Sequence, residues 1–265
     1  MNSPEMAASR IDLLRANVRL GLLLLRAQWP PAVWVVGYLV PETLRMLVFV
    51  LIGMLVSGED GMAYAFVGCV ALSIATTTVS HVTDIPVTDV RTGTYRSVLL
   101  GSVAPFAQYV ARALPLGGMA LVLATVTAVA VGLLTGQGDL VLPVLSRIWM
   151  LVPALLTTIV LGLFVVAPAT GSDWEGITYN GAVALLTVLT GAVFTVTDPM
   201  AAAIGSVLPL THTISAVRLS LDGQSWLLEI GLEVVVGMGW AIAGALAYRV
   251  QDRLGARLGR GAFAA

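Results

Sequence analysis

Six long apolar stretches alternate with short polar segments along this chain of 265 residues. A helix needs roughly 20 mainly apolar residues to cross the hydrocarbon core of a bilayer, and each stretch is close to or above that length. The pattern therefore predicts an all-α integral membrane protein with a single transmembrane domain over residues 1–265. The six predicted transmembrane helices run near residues 32–56, 62–82, 108–134, 143–167, 179–197 and 226–249.

The segment before the first span, residues 9–28, has a different periodicity. Its apolar side chains recur at intervals of three and four residues, at Ile11, Leu14, Val18, Leu22 and Leu25. Most of its arginines fall on other faces, which predicts an amphipathic helix lying in the plane of the lipid headgroups. Two interpretations of this helix stay open: an anchor at the membrane surface, or a docking element for a partner protein.

A second segment, residues 198–224 between the fifth and sixth spans, is too apolar for a plain loop. It consists of two apolar pieces separated by Pro209, and neither piece is long enough to span a bilayer. We expect two short helices that dip into the outer leaflet and return, as an external re-entrant hairpin covered by the rest of the protein.

The charged residues sort along the chain and predict its orientation. All 14 basic residues are arginine, and with 11% charged and 58% hydrophobic residues the chain has no room for a soluble catalytic domain. Because positive loops stay on the cytoplasmic side, both termini and the loop between the second and third spans are predicted to be cytoplasmic. The arginines in these three places are Arg10, Arg15, Arg19, Arg26, Arg91, Arg96, Arg112, Arg249, Arg253, Arg257 and Arg260.

Several kinds of site are excluded by composition. The only histidines, His81 and His212, are predicted to lie at opposite membrane faces, so they cannot share a metal ion. The chain contains no lysine, which excludes a P-loop lysine and a Schiff base, and no serine-hydrolase or dinucleotide motif occurs. The net charge of -1 argues against a nucleic-acid partner. We therefore expect no catalytic residue, no metal and no cofactor bound by this chain.

Ionisable residues inside the predicted spans are the first functional candidates. Glu42 and Arg45 lie three residues apart, on one face of the first span. They form either a self-neutralising pair that tolerates burial or a polar element of a substrate path or gate. Glu229 and Glu233 lie four apart in the sixth span, and their mutual repulsion predicts that one is protonated or pairs with Arg218.

The internal loop, residues 83–107, is the second candidate. Its charges alternate, a helix-compatible run follows Gly93, and Pro105 is predicted to end that run. A charged segment joining two spans is suited to contact with a cytosolic partner, and the alternative is a plain surface loop.

Two blocks of the sequence resemble the type-2 ABC exporter permeases, the membrane subunits of drug, antibiotic and glycan exporters. The internal loop carries an acidic residue and an arginine, a Gly-Thr pair, an apolar run and a proline before the next span, followed by Arg112. The second block carries an asparagine, a small-Gly pair and an external Pro-Leu-Thr with an arginine and a glycine after it. The chain departs from the family pattern in the spacing of Asp89-Val90-Arg91 and in Ala104, where serine is common.

The resemblance implies a complex of two permeases and two ATPases working by alternating access. The permeases are two copies of this chain or this chain and a sister permease, and ATP and Mg²⁺ belong to the separate ATPase chains. The cargo implied is a small amphipathic drug or antibiotic, as in multidrug efflux and antibiotic resistance. The location implied is the lipid bilayer of a bacterial plasma membrane. The alternatives are export of a glycan or lipid-linked precursor, or an ATP-independent secondary transporter that uses Glu42.

The resemblance also assigns roles to particular residues. Contact with the ATPase is expected from Asp89, Arg91, Gly93, Thr94, Tyr95 and Arg96, and from Asp173 and Glu175 in a second internal turn. The substrate path or gate is expected at Glu42, Arg45, Phe49, Asn180 and Phe194. The external hairpin that caps this path is expected to use Pro209, Thr211, His212 and Arg218.

Overall fold

The structure, a computed structural model, describes residues 4–28, 30–170 and 174–258, and these ranges contain helices and no strand. The longer helices are α1 (Pro4–Gln28), α2 (Pro31–Arg91), α4 (Pro105–Leu134), α6 (Ile148–Ala169), α7 (Glu175–Leu189) and α10 (Leu227–Leu258). The shorter helices are α3 (Tyr95–Leu99), α5 (Gly138–Leu145), α8 (Pro199–Gly205) and α9 (Thr211–Leu221).

Helices α2, α4, α6 and α10 are long and apolar enough to cross a bilayer. Their composition and length are those of transmembrane helices, as the apolar pattern predicted. They account for five of the six predicted spans, because α2 contains two of them.

Helix α2 reverses direction near its middle. Ser57 has φ -141° and Gly58 has φ 67°, a conformation that glycine adopts readily, so the helix divides into arms 31–56 and 59–91. The arms run antiparallel: the rings of Tyr38 and His81 lie 5.1 Å apart. Near the turn, the backbones of the two arms approach closely because Gly53 and Gly61 face each other without side chains. The first two predicted spans are therefore one helical hairpin.

The second arm of α2 forms the centre of the molecule. Its side chains are almost continuously buried between residues 65 and 79, against α4 and α6. Helix α10 packs on α6 where Gly237 lies against Thr157, and α1 packs on α4 where Gly21 lies against the carbonyl of Arg112. A Cβ at either glycine would collide, so these glycines allow the close approach of the helices.

The elements predicted to be cytoplasmic differ from the prediction in their bounds. Helix α1 begins at Pro4, ahead of the predicted start at residue 9. Helix α2 continues to Arg91, so the first part of the predicted loop 83–107 is helical. The helix after Gly93 is the five-residue α3, and Pro105 begins α4 instead of ending the loop helix. Proline is favoured at a first helical turn because its missing N–H would have no partner there.

The segment predicted as the fifth span contains a shorter helix. Helix α7 has 15 residues and therefore a length of about 22 Å, less than the ~30 Å hydrocarbon core. It ends at Leu189 because Gly191 adopts φ 69°, the left-handed conformation that stops helices. The fourth span is also shorter at its start than predicted, since residues 143–147 belong to α5 and a turn.

Candidate functional site

The predicted cytoplasmic segments meet at one end of the helix bundle. Asn17 of α1 contacts Arg112 of α4. The ring of Tyr248, late in α10, lies 5.9 Å from that of Phe106 and 5.6 Å from that of Tyr109. Helix α1, the α2–α4 connection and the C-terminal half of α10 thus share one end, which we call the arginine-rich end. The described arginines of the three segments are therefore on one side, as predicted.

A buried ion pair lies at the base of this end. Arg112 donates to Asp89 Oδ2 at 2.7 Å, and the two side chains are 7% and 10% exposed. The other carboxylate oxygen of Asp89 accepts from Thr94 Oγ1 at 2.9 Å, and Arg112 also donates to Asn17 Oδ1 at 3.2 Å. Additional hydrogen bonds of this kind help a protein to tolerate a buried ion pair. The pair therefore joins α1, α2 and α4 to the turn before α3.

Gln108 extends this arrangement to α3. Its amide nitrogen donates to the carbonyls of Val98 at 3.0 Å and Val103 at 2.7 Å, and its oxygen faces the amide of Asn17 at 3.5 Å. Tyr95, the first residue of α3, is 2% exposed. The connection after α2 is therefore held firmly against the bundle. We call Asn17, Asp89, Thr94, Gln108 and Arg112 the loop network.

The two predicted contact segments also meet. Arg91, 73% exposed, donates to Glu175 Oε2 at 2.9 Å and so joins the end of α2 to the first turn of α7. Asp173, the other acidic residue predicted for this contact, lies outside the described residues. The pairing of Arg91 with Glu175 places two segments that are distant in sequence beside each other.

The two segments that this pairing joins carry further exposed residues. Gly93 and Arg96 are exposed, while Leu100, Trp174 and Ile177 are 79%, 64% and 62% exposed. Large apolar side chains beside arginines at a polar end of a molecule are typical of a protein-binding surface. We call Arg91, Arg96, Leu100, Trp174 and Ile177 the loop surface.

Two predicted path residues lie together in the middle of the bundle. Arg45 donates to the carboxylate of Glu42 in its own arm and to Thr76 Oγ1 in the second arm. A cavity of about 210 Å³ opens beside them, lined also by Gly37, Tyr38, Pro41, Thr77, Ser80 and His81. Glu42 and Arg45 are therefore a paired polar element between the two arms.

The other three predicted path residues are elsewhere. Phe49 packs against the hydrophobic core, and Asn180 is exposed on α7, where it donates to the carbonyl of Gly176 in its own helix. Phe194 is 40% exposed in the irregular segment 190–198. Because α7 ends at Leu189, Phe194 is not on the helix that carries Asn180.

A polar stripe connects the middle of the bundle to the arginine-rich end. Thr76, Ser80, Asp84 and Thr88 follow each other at intervals of four along the second arm of α2, and therefore lie on one face. His81 lines the Glu42 cavity and also a second cavity of about 280 Å³ at the arginine-rich end. The two cavities therefore adjoin at one side chain.

At the opposite end, α8 and α9 occur where two short helices were predicted. Glu233 of α10 is 0% exposed, and its carboxylate accepts from the backbone amides of Leu210 and Thr213, both at 3.2 Å. These amides are among the free donors at the start of α9, where the helix dipole also favours a negative charge. The carboxylate of Glu233 therefore caps α9. Leu210 itself has φ 80°, an unusual conformation for leucine.

His212 and Arg218 also lie at this opposite end. His212 Nδ1 lies 2.8 Å from Glu229 Oε2, and its Nε2 lies 3.0 Å from the carbonyl of Ser206. The side chain of Arg218 donates to the carbonyls of Gly191, Tyr64 and Ala192, and lies over the Tyr64 ring at 3.3 Å. Of the two predicted alternatives for Glu229 and Glu233, pairing with Arg218 is not observed, because the Nη atoms of Arg218 donate to backbone carbonyls.

Pro209 and Thr211 shape the link between α8 and α9. Pro209 lies in the turn between them, and Thr211 Oγ1 donates to the carbonyl of Gly205 at 2.7 Å. All four residues predicted for the hairpin therefore lie in or beside this turn or anchor α9 to the bundle.

Three residues of the loop network were not among the predicted site residues, although one of them, Arg112, is part of the first block of the resemblance. Asn17 interrupts the apolar face of α1, and Gln108 follows the start of α4 by three residues. A polar amide on an otherwise apolar helix face is the signal that identifies such positions, because it needs a buried partner.

No protein-family model, curated protein or solved structure matches this chain.

Proposed function

We propose that this chain is the membrane-spanning permease subunit of an ATP-binding cassette exporter. The observation that carries the proposal is the loop network, which holds the α2–α4 connection against the bundle and leaves the loop surface exposed. A separate ATPase chain would bind the loop surface and supply ATP and Mg²⁺. Two ATPase copies and a second permease, identical or a sister chain, complete the complex.

In this proposal the chain crosses the membrane six times. The crossings are the two arms of α2, then α4, α6, α7 with the segment 190–198, and α10. The positive-inside rule then makes the arginine-rich end and both termini cytoplasmic. The membrane would be a bacterial plasma membrane, as the resemblance to the exporter permeases implies. Helices α8 and α9 form the external re-entrant hairpin, whose broken backbone is covered by the contacts of Glu233 and Arg218.

The loop network supplies the mechanical link that coupling requires. Movement of an ATPase against the loop surface would pass through the Asp89–Arg112 pair to the second arm of α2 and to α4 together. The second arm carries Thr76, the partner of Arg45, so its displacement would alter the cavity at Glu42. The substrate is exported when ATP binding and hydrolysis bias the equilibrium between inward-open and outward-open states.

The cargo that fits best is a small amphipathic drug or antibiotic, because the exposed surfaces of the spans are mainly apolar whereas the cavity beside Glu42 and Arg45 is lined by polar side chains. A glycan or lipid-linked precursor is the second candidate within the same family. A secondary transporter driven by protonation of Glu42 is less well supported, since Glu42 is already paired with Arg45.

The proposal is tested by co-expressing the chain with the ATPase encoded beside its gene and purifying through the permease. We expect a stable complex that hydrolyses ATP, and loss of the complex or of transport-coupled hydrolysis in Arg91→Ala. The matched control is Arg249→Ala, which removes an exposed arginine of α10 outside the loop surface. If no ATPase co-purifies and the chain transports without ATP, the proposal is wrong.

A further inference from the structure

The cavity of about 280 Å³ at the arginine-rich end has two unlike walls. It lies between α1, the second arm of α2 and the start of α4. One wall is apolar, with Leu24 and Leu25 of α1, Ile85 of α2 and Leu116 of α4. The other wall carries His81, Asp84, Thr88, Asp89, Arg91 and Arg112. A cavity with these walls suits a molecule that has one polar head and an apolar body.

The charges around the cavity determine which sign of charge that polar head would carry. Asp89 is neutralised by Arg112, and Arg91 by Glu175. Asp84 forms no hydrogen bond or ion pair with any side chain in the described ranges, although the opposite charges of Arg91 and Glu175 both act on it. An unpaired carboxylate beside an apolar wall attracts a cation, and most strongly one that can donate hydrogen bonds to it.

We propose that this cavity binds an amphipathic cation, with its ammonium group at the carboxylate of Asp84 and its apolar body along Leu24, Leu25 and Leu116. As a binding site it stands by itself, and its role as the entry site for an exported substrate rests on the proposed function. The same chemistry comes from two sources: a cationic drug-like substrate, or a lipid of the inner leaflet with an amine headgroup.

The position of the cavity suits an entry site. His81 separates it from the cavity beside Glu42 and Arg45, and the polar stripe of α2 runs past both. Ser80 and Thr76, which follow Asp84 on the polar stripe, line the second cavity together with Glu42.

The test uses decylamine as the probe and decanol as its neutral counterpart of the same chain length. The full chain is placed in phosphatidylcholine nanodiscs, and saturable binding is measured by calorimetry after subtraction of empty nanodiscs. We expect decylamine to bind and decanol to bind about tenfold more weakly, because the charge-assisted contact is lost. Asp84→Asn should weaken decylamine binding by a similar factor.

Two further variants locate the effect. Asp139→Asn removes the same charge from an exposed acidic residue at the opposite end, and decylamine binding should be unchanged. Leu25→Trp fills the apolar wall and should weaken the binding of decylamine while Asp84 is intact. Equal binding by wild type and Asp84→Asn, equal binding of decylamine and decanol, or unimpaired binding by Leu25→Trp would each overturn the proposal.

A second experiment distinguishes a retained lipid from an exported substrate as the natural ligand. Native mass spectrometry after extraction from membranes rich in phosphatidylethanolamine detects a retained lipid that Asp84→Asn loses. Stimulation of ATP hydrolysis by a cationic amphiphile, lost in the same variant, identifies an exported substrate instead. Co-purification of the ATPase is measured without any ligand, so failure of the binding site and failure of the exporter proposal give different results.

Discussion

The two ends of this protein use buried charges in different ways. At the arginine-rich end, Asp89 and Arg112 bind each other and recruit side chains from α1 and from the turn before α3. At the opposite end, Glu233 binds backbone groups at the start of α9, and Arg218 binds backbone groups of the segment 190–198 and of Tyr64. Side chains that bind side chains link separate helices, whereas side chains that bind backbone fix the course of a segment. The comparison indicates one end in which separate helices are linked and one end in which the course of the backbone is fixed.

The largest expected effect comes from breaking the link itself. Arg112→Ala leaves the carboxylate of Asp89 buried without its cation, which should lower the free energy of unfolding by about 3–5 kcal/mol. Thermal unfolding in detergent measures the loss. The control is Arg15→Ala, whose pair with Asp12 is exposed on both sides and should contribute no more than about 1 kcal/mol. Equal losses in the two variants would contradict the distinction between buried and exposed pairs.

A smaller and more local effect is expected at the capped end. Glu233→Ala leaves the amides of Leu210 and Thr213 without acceptors, which should lower the free energy of unfolding by about 1–3 kcal/mol. Hydrogen exchange should become faster in the first turn of α9 and stay unchanged in α3. The isosteric Glu233→Gln retains one acceptor oxygen and should fall between wild type and Glu233→Ala. Faster exchange at both ends would show that the ends are not independent.

Arg218→Lys tests the same comparison and should lower the free energy of unfolding by about 1–2 kcal/mol. The guanidinium donates to three carbonyls in different directions and stacks on Tyr64, and an ammonium cannot reproduce that geometry. Arg147→Lys is the matched control, because Arg147 also donates to backbone carbonyls and to Ser220 but without an aromatic partner. Thermal unfolding of both variants measures the contribution of the ring.

The helices and the sorting of arginines could be predicted because both follow from local patterns. The amphipathic period of residues 9–28 gives α1, and the apolar runs give the arms of α2, α4, α6 and α10. The pairing of Glu42 with Arg45 was also predictable, since residues three apart on a helix share a face.

The contacts between distant segments were not predictable in the same way. Asn17 and Arg112 are 95 positions apart, and Arg91 and Glu175 are 84 apart, so only the packing of the helices reveals that they meet. The early end of α7 depends on the backbone of Gly191, and an apolar run shows no sign of it. The partners of Arg218 are backbone carbonyls, which every residue carries and which no sequence pattern marks.

The smallest effect on stability is expected from Arg91→Ala, the variant that tests the function of the loop surface most directly. Arg91 is 73% exposed, so breaking its pair with Glu175 should change the free energy of unfolding by no more than about 1 kcal/mol. Glu175→Gln removes the same pair from the other side and leaves the arginine available to a partner. If the loop surface binds an ATPase through Arg91 directly, Arg91→Ala should weaken co-purification and Glu175→Gln should not. If Arg91 only positions α7, both variants should weaken it equally. The arginine-rich end would then act through its shape. The two ends of the protein would in that case differ in rigidity and not in charge.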